Sequence, residues 1–356
     1  MKPKMWVSFG LVLACMLLVT GTGQAQTAVQ VFLQRGQPDQ LQFVDMYTGE
    51  IDTVAVSGER YTVFGSAVMY YDPVDNRVRL ATADGRVRNH PFIQPLADTR
   101  RVDWVLSGDG KYIAWTLTAE QGGGQLVTTT RIAGIDGSSP REVLVDGPRP
   151  AIRALPVAFS GNADLLYMDY QPDGIGEVTP FQQYAGLFAV DLETGETAML
   201  PGEPGCFCAA EIGAGLLLRL HLAENLSGFD VVVTNLGAET TRQIDAVGRA
   251  NYTQAGGIVL APDSTQAVYA LAQVSDFGGA SQSVRTVFVQ VDLVERRQTV
   301  LTQPVNNFLQ PVAWTEDNTA VIVTSADRSR SGTWKVTLAD GRVTRVATAT
   351  LLGTLH

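Results

Sequence analysis

Short runs in which apolar and polar residues alternate, each broken by Gly, Asp or Asn, follow one another along nearly the whole chain and predict strands joined by tight turns. The clearest unit is Leu187–Glu196 (LFAVDLETGE): an alternating strand, a turn closing on Gly195, and a second strand leaving it. Related units stand at Leu41–Glu50, Val78–Arg86, Thr130–Ser138, Val231–Glu239, Val287–Arg296 and Thr333–Arg342. A second unit precedes the hairpin in several copies. Its best form is Val102–Trp115 (VDWVLSGDGKYIAW), with counterparts at Pro156–Tyr167, Gly257–Tyr269 and Pro311–Val323. Asp109, Asn162, Asp263 and Asp317 occupy its turn, where a short polar side chain hydrogen-bonds nearby backbone and tolerates unusual dihedrals.

The hairpin turns fall near Gly49, Gly85, Gly137, Gly195, Gly237, Glu295 and Gly341, at intervals of roughly 36 to 58 residues, the range of propeller blades. The expected fold is therefore all-β, a single β-propeller over residues 26–356 with seven four-stranded blades. Six and eight blades remain open counts. The first blade has only three strands before Ser57, so Thr348–Leu355 is expected to supply its inner strand and close the ring on both chain ends. The two alternating turns are similar to the TolB-type, WD-like β-propeller repeat of bacterial exported proteins. The match is best around Lys111; Gly108 and Gly161 stand where the repeat usually has proline, and the copies near Phe64 and Gly213 barely keep the turn. The resemblance covers about residues 28–347 and implies a scaffold, with no particular activity.

Composition adds compartment and exclusions. Lys2 and Lys4 precede an apolar run from Met5 to Val19, and a small, polar stretch then offers cleavage after Ala25, so residues 1–25 read as a signal peptide. Acylation at Cys15 (a lipoprotein) and a retained anchor are the alternatives. No later run is long and apolar enough to span a bilayer. The mature chain is expected to be exported: periplasmic, at the cell surface or secreted, with no membrane span, as a monomeric propeller. Its formal charge of −10 becomes about −12 without the two signal lysines, which argues against nucleic acid. Cys206 and Cys208, one residue apart, share a face if the segment is extended. They read as a disulfide or as plain thiols, with a metal or redox function as the third reading; a metal site needs further ligands, no second Cys/His cluster supplies them, and no cofactor is expected.

Catalytic motifs are sparse. There is no Gly-x-Ser-x-Gly elbow, and no α/β-hydrolase domain follows the repeats, which speaks against a prolyl-oligopeptidase-like peptidase. His90 falls on an outer-strand pattern, and Arg219 with His221 forms a polar pair on an inner strand, read as structural. In an antiparallel blade the Asp/Gly turns share one face, and all the long segments share the other: 119–125, 171–184 and 275–283 within blades, and 93–101, 147–153, 246–254 and 303–309 between them. Long loops on a rigid scaffold commonly carry binding. Those loops hold Arg100, Arg101, Arg149, Arg153 and Arg249 with Phe181, Tyr184, Tyr252, Phe277 and Phe308, an Arg-plus-aromatic set suited to a protein, peptide or surface glycan. A noncatalytic binding scaffold is thus the first expectation. The alternative is a propeller enzyme, a hydrolase or lyase on carbohydrate or lactone, with carboxylates such as Asp103 and Glu211 at the channel mouth.

Overall fold

The alternating runs form strands, and the second strand of several blades carries consecutive buried residues, so that it is covered on both faces. The computed structural model describes residues 28–174, 181–201, 206–224, 226, 228–276, 281–325 and 330–355. Blade one holds β1 (Val29–Gln34), β2 (Asp39–Asp45) and β3 (Ile51–Val56); blade two holds β4 (Glu59–Phe64), β5 (Ala67–Asp72), β6 (Arg77–Ala81) and β7 (Val87–Asn89). Blade three is β8 (Thr99–Leu106), β9 (Tyr112–Glu120), β10 (Gln125–Gly134) and β11 (Arg141–Pro150). Blade four is β12 (Ile152–Phe159), β13 (Leu165–Pro172), β14 (Leu187–Asp191) and β15 (Thr197–Met199). Blade five is β16 (Ala210–Gly213), β17 (Leu216–Leu222), β18 (Phe229–Asn235) and β19 (Thr240–Ile244). Blade six is β20 (Gln254–Leu260), β21 (Gln266–Ser275), β22 (Ser283–Asp292) and β23 (Arg297–Val300). Blade seven is β24 (Leu309–Trp314), β25 (Ala320–Ser325), β26 (Thr333–Thr337) and β27 (Val343–Ala347), and β28 (Thr350–Thr354) completes blade one.

Seven four-stranded antiparallel sheets, the number the turn spacing predicts, close into a ring. Blade one runs β28-β1-β2-β3, so the C-terminal strand is its inner strand and each chain end holds the other. At the seam β28 thereby covers the edge that β1 would otherwise expose.

The core lies between blades. On β5, Ala67, Met69 and Tyr71 pack towards blade three, while Val68 and Tyr70 pack towards blade one. On β21, Ala267, Tyr269 and Leu271 face blade five, and Val268, Ala270 and Ala272 face blade seven. Period two therefore puts successive side chains into two different cores, which is why these strands read as unbroken apolar runs. Outer strands such as β7 and β15 are exposed throughout.

The Asp/Gly hairpins are local. Asp191 accepts from the backbone of Glu193 (2.9 Å) and Thr194 (2.7 Å), and Asp45, Asn235 and Asp292 repeat the arrangement in their own turns. Of the acids in Leu187–Glu196, Asp191 is thus a turn-former, and Glu193 and Glu196 are exposed. Two segments expected as loops are strand instead. β9 and β10 leave only residues 121–124 as a turn, and Ala151 alone, at φ 50°, separates β11 from β12. Pairing of Gln125 with Pro150 carries that sheet to its end.

Most inner strands share a further feature. Their pairing slips at a bulge between Glu59 and Thr62, Thr99 and Arg101, Pro156 and Ala158, Gly256 and Val259, and Pro311 and Ala313. A bulge bends the strand and re-aims its side chains.

Candidate functional site

Each inner strand begins on the long-loop face, so residues early in β4, β8, β12 and β16 and late in β13 and β17 meet at that mouth of the channel. Arg60 sits in the β4 bulge at φ 58°. Its guanidinium lies 5.3 Å above the Trp104 ring and donates from Nη1 to Asp103 Oδ1 at 2.5 Å. Arg153 Nη1 reaches the other oxygen, Oδ2, at 2.6 Å, and its Nη2 donates to Gln171 Oε1 at 3.0 Å. Gln171 Nε2 donates to the carbonyl of Gln183 (3.0 Å), whose own Nε2 donates to that of Ala255 (3.2 Å). A polar belt thus runs from blade two to blade six. Asp103, Arg153 and Gln171 are all buried. Burial pushes the Arg153 guanidinium below its ordinary value, and Asp103 pulls it back. At the rim Asp173 lies 3.0 Å from Arg100, 3.8 Å from Arg101 and 3.9 Å from Arg153.

Two further carboxyls differ from Asp103 in lacking a direct cationic partner among the described residues. Asp169 is fully buried; its Oδ1 accepts from the backbone of Ala185 (3.0 Å) and Gly186 (2.7 Å), while Oδ2 has no hydrogen-bond partner among the described residues. Burial pushes it up to about 6, against the opposing pull of those two N–H groups, Arg219 and Arg153. Glu211, on β16, has no ion pair among the described residues, and burial pushes it up to about 7. Tyr184 is raised first by its own burial, then by the charges of Glu211 and Asp169, so both carboxyls act on one phenol. Arg219 is lowered by burial and held up by Asp169. The mouth across blades four and five therefore combines two acids that titrate near neutrality with two buried arginines.

The structure brings Arg153 and Tyr184 into this site and places Arg100 and Arg101 at its rim. It takes other expected surface residues inside. Phe181 and Tyr252 are buried, because Phe181 packs edge-on against Phe308 (4.8 Å) and fills the space over Gly256, and Tyr252 lies under Arg249 (5.0 Å) in the core between blades five and six. Arg149 is tied to Asp146 (2.7 Å) over the Tyr170 ring. Phe277 and Cys15 lie outside the described residues. His90, expected on an outer strand, is buried just past β7: its Nδ1 accepts from the Ile93 N–H (3.1 Å) and its ring meets Phe64 and Phe92. Arg60, Asp169 and Gln171 were not legible as site residues. Their one signal was polarity inside apolar runs, as in LLYMDYQP for Asp169 and Gln171.

Beside the mouth the sulfurs of Cys206 and Cys208 are in bonding contact, with Cα atoms 5.4 Å apart. His221 lies against them; the three ligand atoms are all within 4.8 Å of one another. This cluster comes from the β16–β17 hairpin. Gly213 pairs with Leu216 and Ala210 with Arg219 across a two-residue turn, Ala214-Gly215, with φ 49° and 74°. Positive φ at both positions is the hairpin turn that matches strand twist. The Leu220 N–H to Ala209 carbonyl bond (3.0 Å) extends the pairing, and the same register puts Cys208 opposite His221.

No family model matches this chain, and no curated protein does. Solved structures do. A structure from a mechanistic study of two prolyl endopeptidases aligns with a TM-score of 0.62 at 10% identity, covering 91% of this chain and 50% of that one, so this chain spans half its length. An oligogalacturonate lyase in complex with manganese aligns at 0.54 and 14% identity, covering 91% of this chain and 86% of the other. TolB from Acinetobacter baumannii is also similar, at 0.45 and 11%, covering 92% and 81%. The seven-bladed ring is itself the fold that the TolB-type resemblance implies. The expectation of a noncatalytic scaffold is corrected. It rested on the lack of visible reaction machinery, yet the ring is shared with enzymes, and this channel mouth gathers perturbed carboxyls that no motif announced.

Proposed function

We propose that the chain is a propeller enzyme, a hydrolase or lyase acting on a carbohydrate or lactone at the long-loop mouth of the channel. The observation that carries this is the pair Glu211 and Asp169, raised to about 7 and about 6 and both acting on Tyr184, with Arg153 and Arg219 beside Asp169. A carboxyl poised near neutrality exists in both protonation states and can take a proton in one step and return it in the next. Glu211 is the proton-transfer group. Asp169, held by two backbone N–H groups, is the second carboxyl, and the arginines stabilise negative charge developing on the substrate in a water-poor site. The oligogalacturonate lyase with the same ring supports a carbohydrate substrate.

The protein works as an exported monomer after loss of residues 1–25, and no helix among the described residues is long and apolar enough to cross a membrane. The test is a panel of neutral oligosaccharides, acidic oligosaccharides and sugar lactones, read by new reducing ends, by ultraviolet absorbance of an unsaturated product and by acid release. We expect one class to turn over, and Glu211→Gln to lower kcat at least about 100-fold with the fold intact. Full activity in Glu211→Gln, or no turnover of any class, overturns the reading.

A further inference from the structure

We infer that Cys206, Cys208 and His221 form a redox-gated site for a thiophilic divalent cation of the zinc class, open when the cysteine pair is reduced and closed when it is a disulfide. This goes beyond the proposed reaction, which uses neither sulfur.

The geometry points to it in three steps. The three ligand atoms already lie within 4.8 Å of one another, close to the separation of donors sharing one ion. Their placement is enforced: the two-residue β16–β17 turn sets the register that faces Cys208 with His221, and spacing of two puts Cys206 on the same side. The segment is also anchored from outside the hairpin, since Cys208 and Tyr184 exchange backbone hydrogen bonds of 3.1 and 2.8 Å. Finally, all three residues line a pocket of about 1070 Å³ on the long-loop face, together with Gln183, Asp230 and Gln254. Two thiolates and an imidazole leave the fourth position of a tetrahedral ion facing that space, where water or a small ligand completes it.

The chemistry balances with a small-molecule thiol as reductant. Two equivalents of thiol reduce the Cys206–Cys208 bond, giving two protein thiols and one small-molecule disulfide. A divalent cation then displaces the two thiol protons and takes the His221 nitrogen as its third ligand. Reoxidation by a low-molecular-weight disulfide reverses the exchange and expels the ion, because a bonded sulfur pair has no thiolate to offer.

The experiment uses the full mature chain. Protein reduced with a phosphine is freed of reductant under inert gas and titrated with cobalt(II), followed by the thiolate-to-cobalt charge-transfer band, then with zinc against a chromophoric chelator. One equivalent should bind to the reduced protein and none to the oxidised protein. His221→Gln and Cys206→Ser should each weaken binding at least about tenfold, while far-ultraviolet circular dichroism stays that of the wild type. Binding that is equal in the oxidised protein, unchanged in His221→Gln, or absent in the reduced protein overturns the inference. Loss of the β signature on reduction overturns it too, since the pair would then be a structural staple.

Discussion

Removing Asp103 should destabilise the ring through the charge it leaves behind. Asp103 is buried and bonded on one oxygen to Arg60 (2.5 Å) and on the other to Arg153 (2.6 Å), which joins blades two, three and four. The two arginines differ in their alternatives. The Arg60 side chain is 35% exposed and can turn to water; that of Arg153 is 6% exposed and cannot. Asp103→Ala leaves Arg153 with Gln171 and a distant Asp173, an uncompensated buried cation costing about 3–5 kcal/mol. Unfolding entropy of about 2.1 cal/mol/K per residue gives about 0.7 kcal/mol/K for a chain this long, so Tm should fall by about 4–7 °C. Asp103→Leu combined with Arg153→Met removes the stranded charge and should recover more than half of that loss. Calorimetry at neutral pH in low and high salt is the assay, and the buried pair should respond little to salt. A single variant within about 1 °C of wild type, or a double variant whose loss is the sum of the two singles, refutes the reasoning.

Other consequences are more local. Burial, helped by Arg88, holds His90 down at about 4 in the fold against 6.5 unfolded, so its neutral form is the folded one. Its contribution is complete above about 6.5 and is lost as pH falls towards 4, amounting to about 3 kcal/mol; His90→Leu should flatten Tm against pH over that window, and an unchanged slope counts against this. Gly49 and Gly341 both have positive φ, 74° and 65°, but a Cβ at Gly49 meets open space while one at Gly341 overlaps the Leu301 carbonyl oxygen. Gly49→Ala should cost about 1 kcal/mol and Gly341→Ala several times more, by urea denaturation; equal losses would show that the contact is easily relieved. Deleting residues 350–356 removes β28 and bares the β1 edge, so the truncated chain should self-associate with concentration in sedimentation velocity, whereas a stable monomer would mean that the seam is not held by this strand.

What the sequence determined by itself was everything that repeats. Period-two alternation, Asp and Gly at turn positions and their spacing specify strands and blades and point to seven of them, because each depends only on neighbours along the chain; the closed ring settles the count. Even the closing strand was legible, since blade one is visibly one strand short. The site was legible only in part. Asp103 and Glu211 could be placed on inner strands, but whether an acid is neutralised depends on what other blades present to it. Asp103 meets Arg60 and Arg153 across two blade boundaries; Glu211 meets no cation among the described residues and is raised instead. The same limit misled the reading of Phe181 and Tyr252, whose loops fold back into inter-blade cores. Cys206, Cys208 and His221 show the boundary most clearly. Their residue types were plain in the sequence, but only the register of one hairpin put the histidine against the sulfurs. A register is a property of two strands paired in space, and a shift of one residue would have turned His221 to the other face.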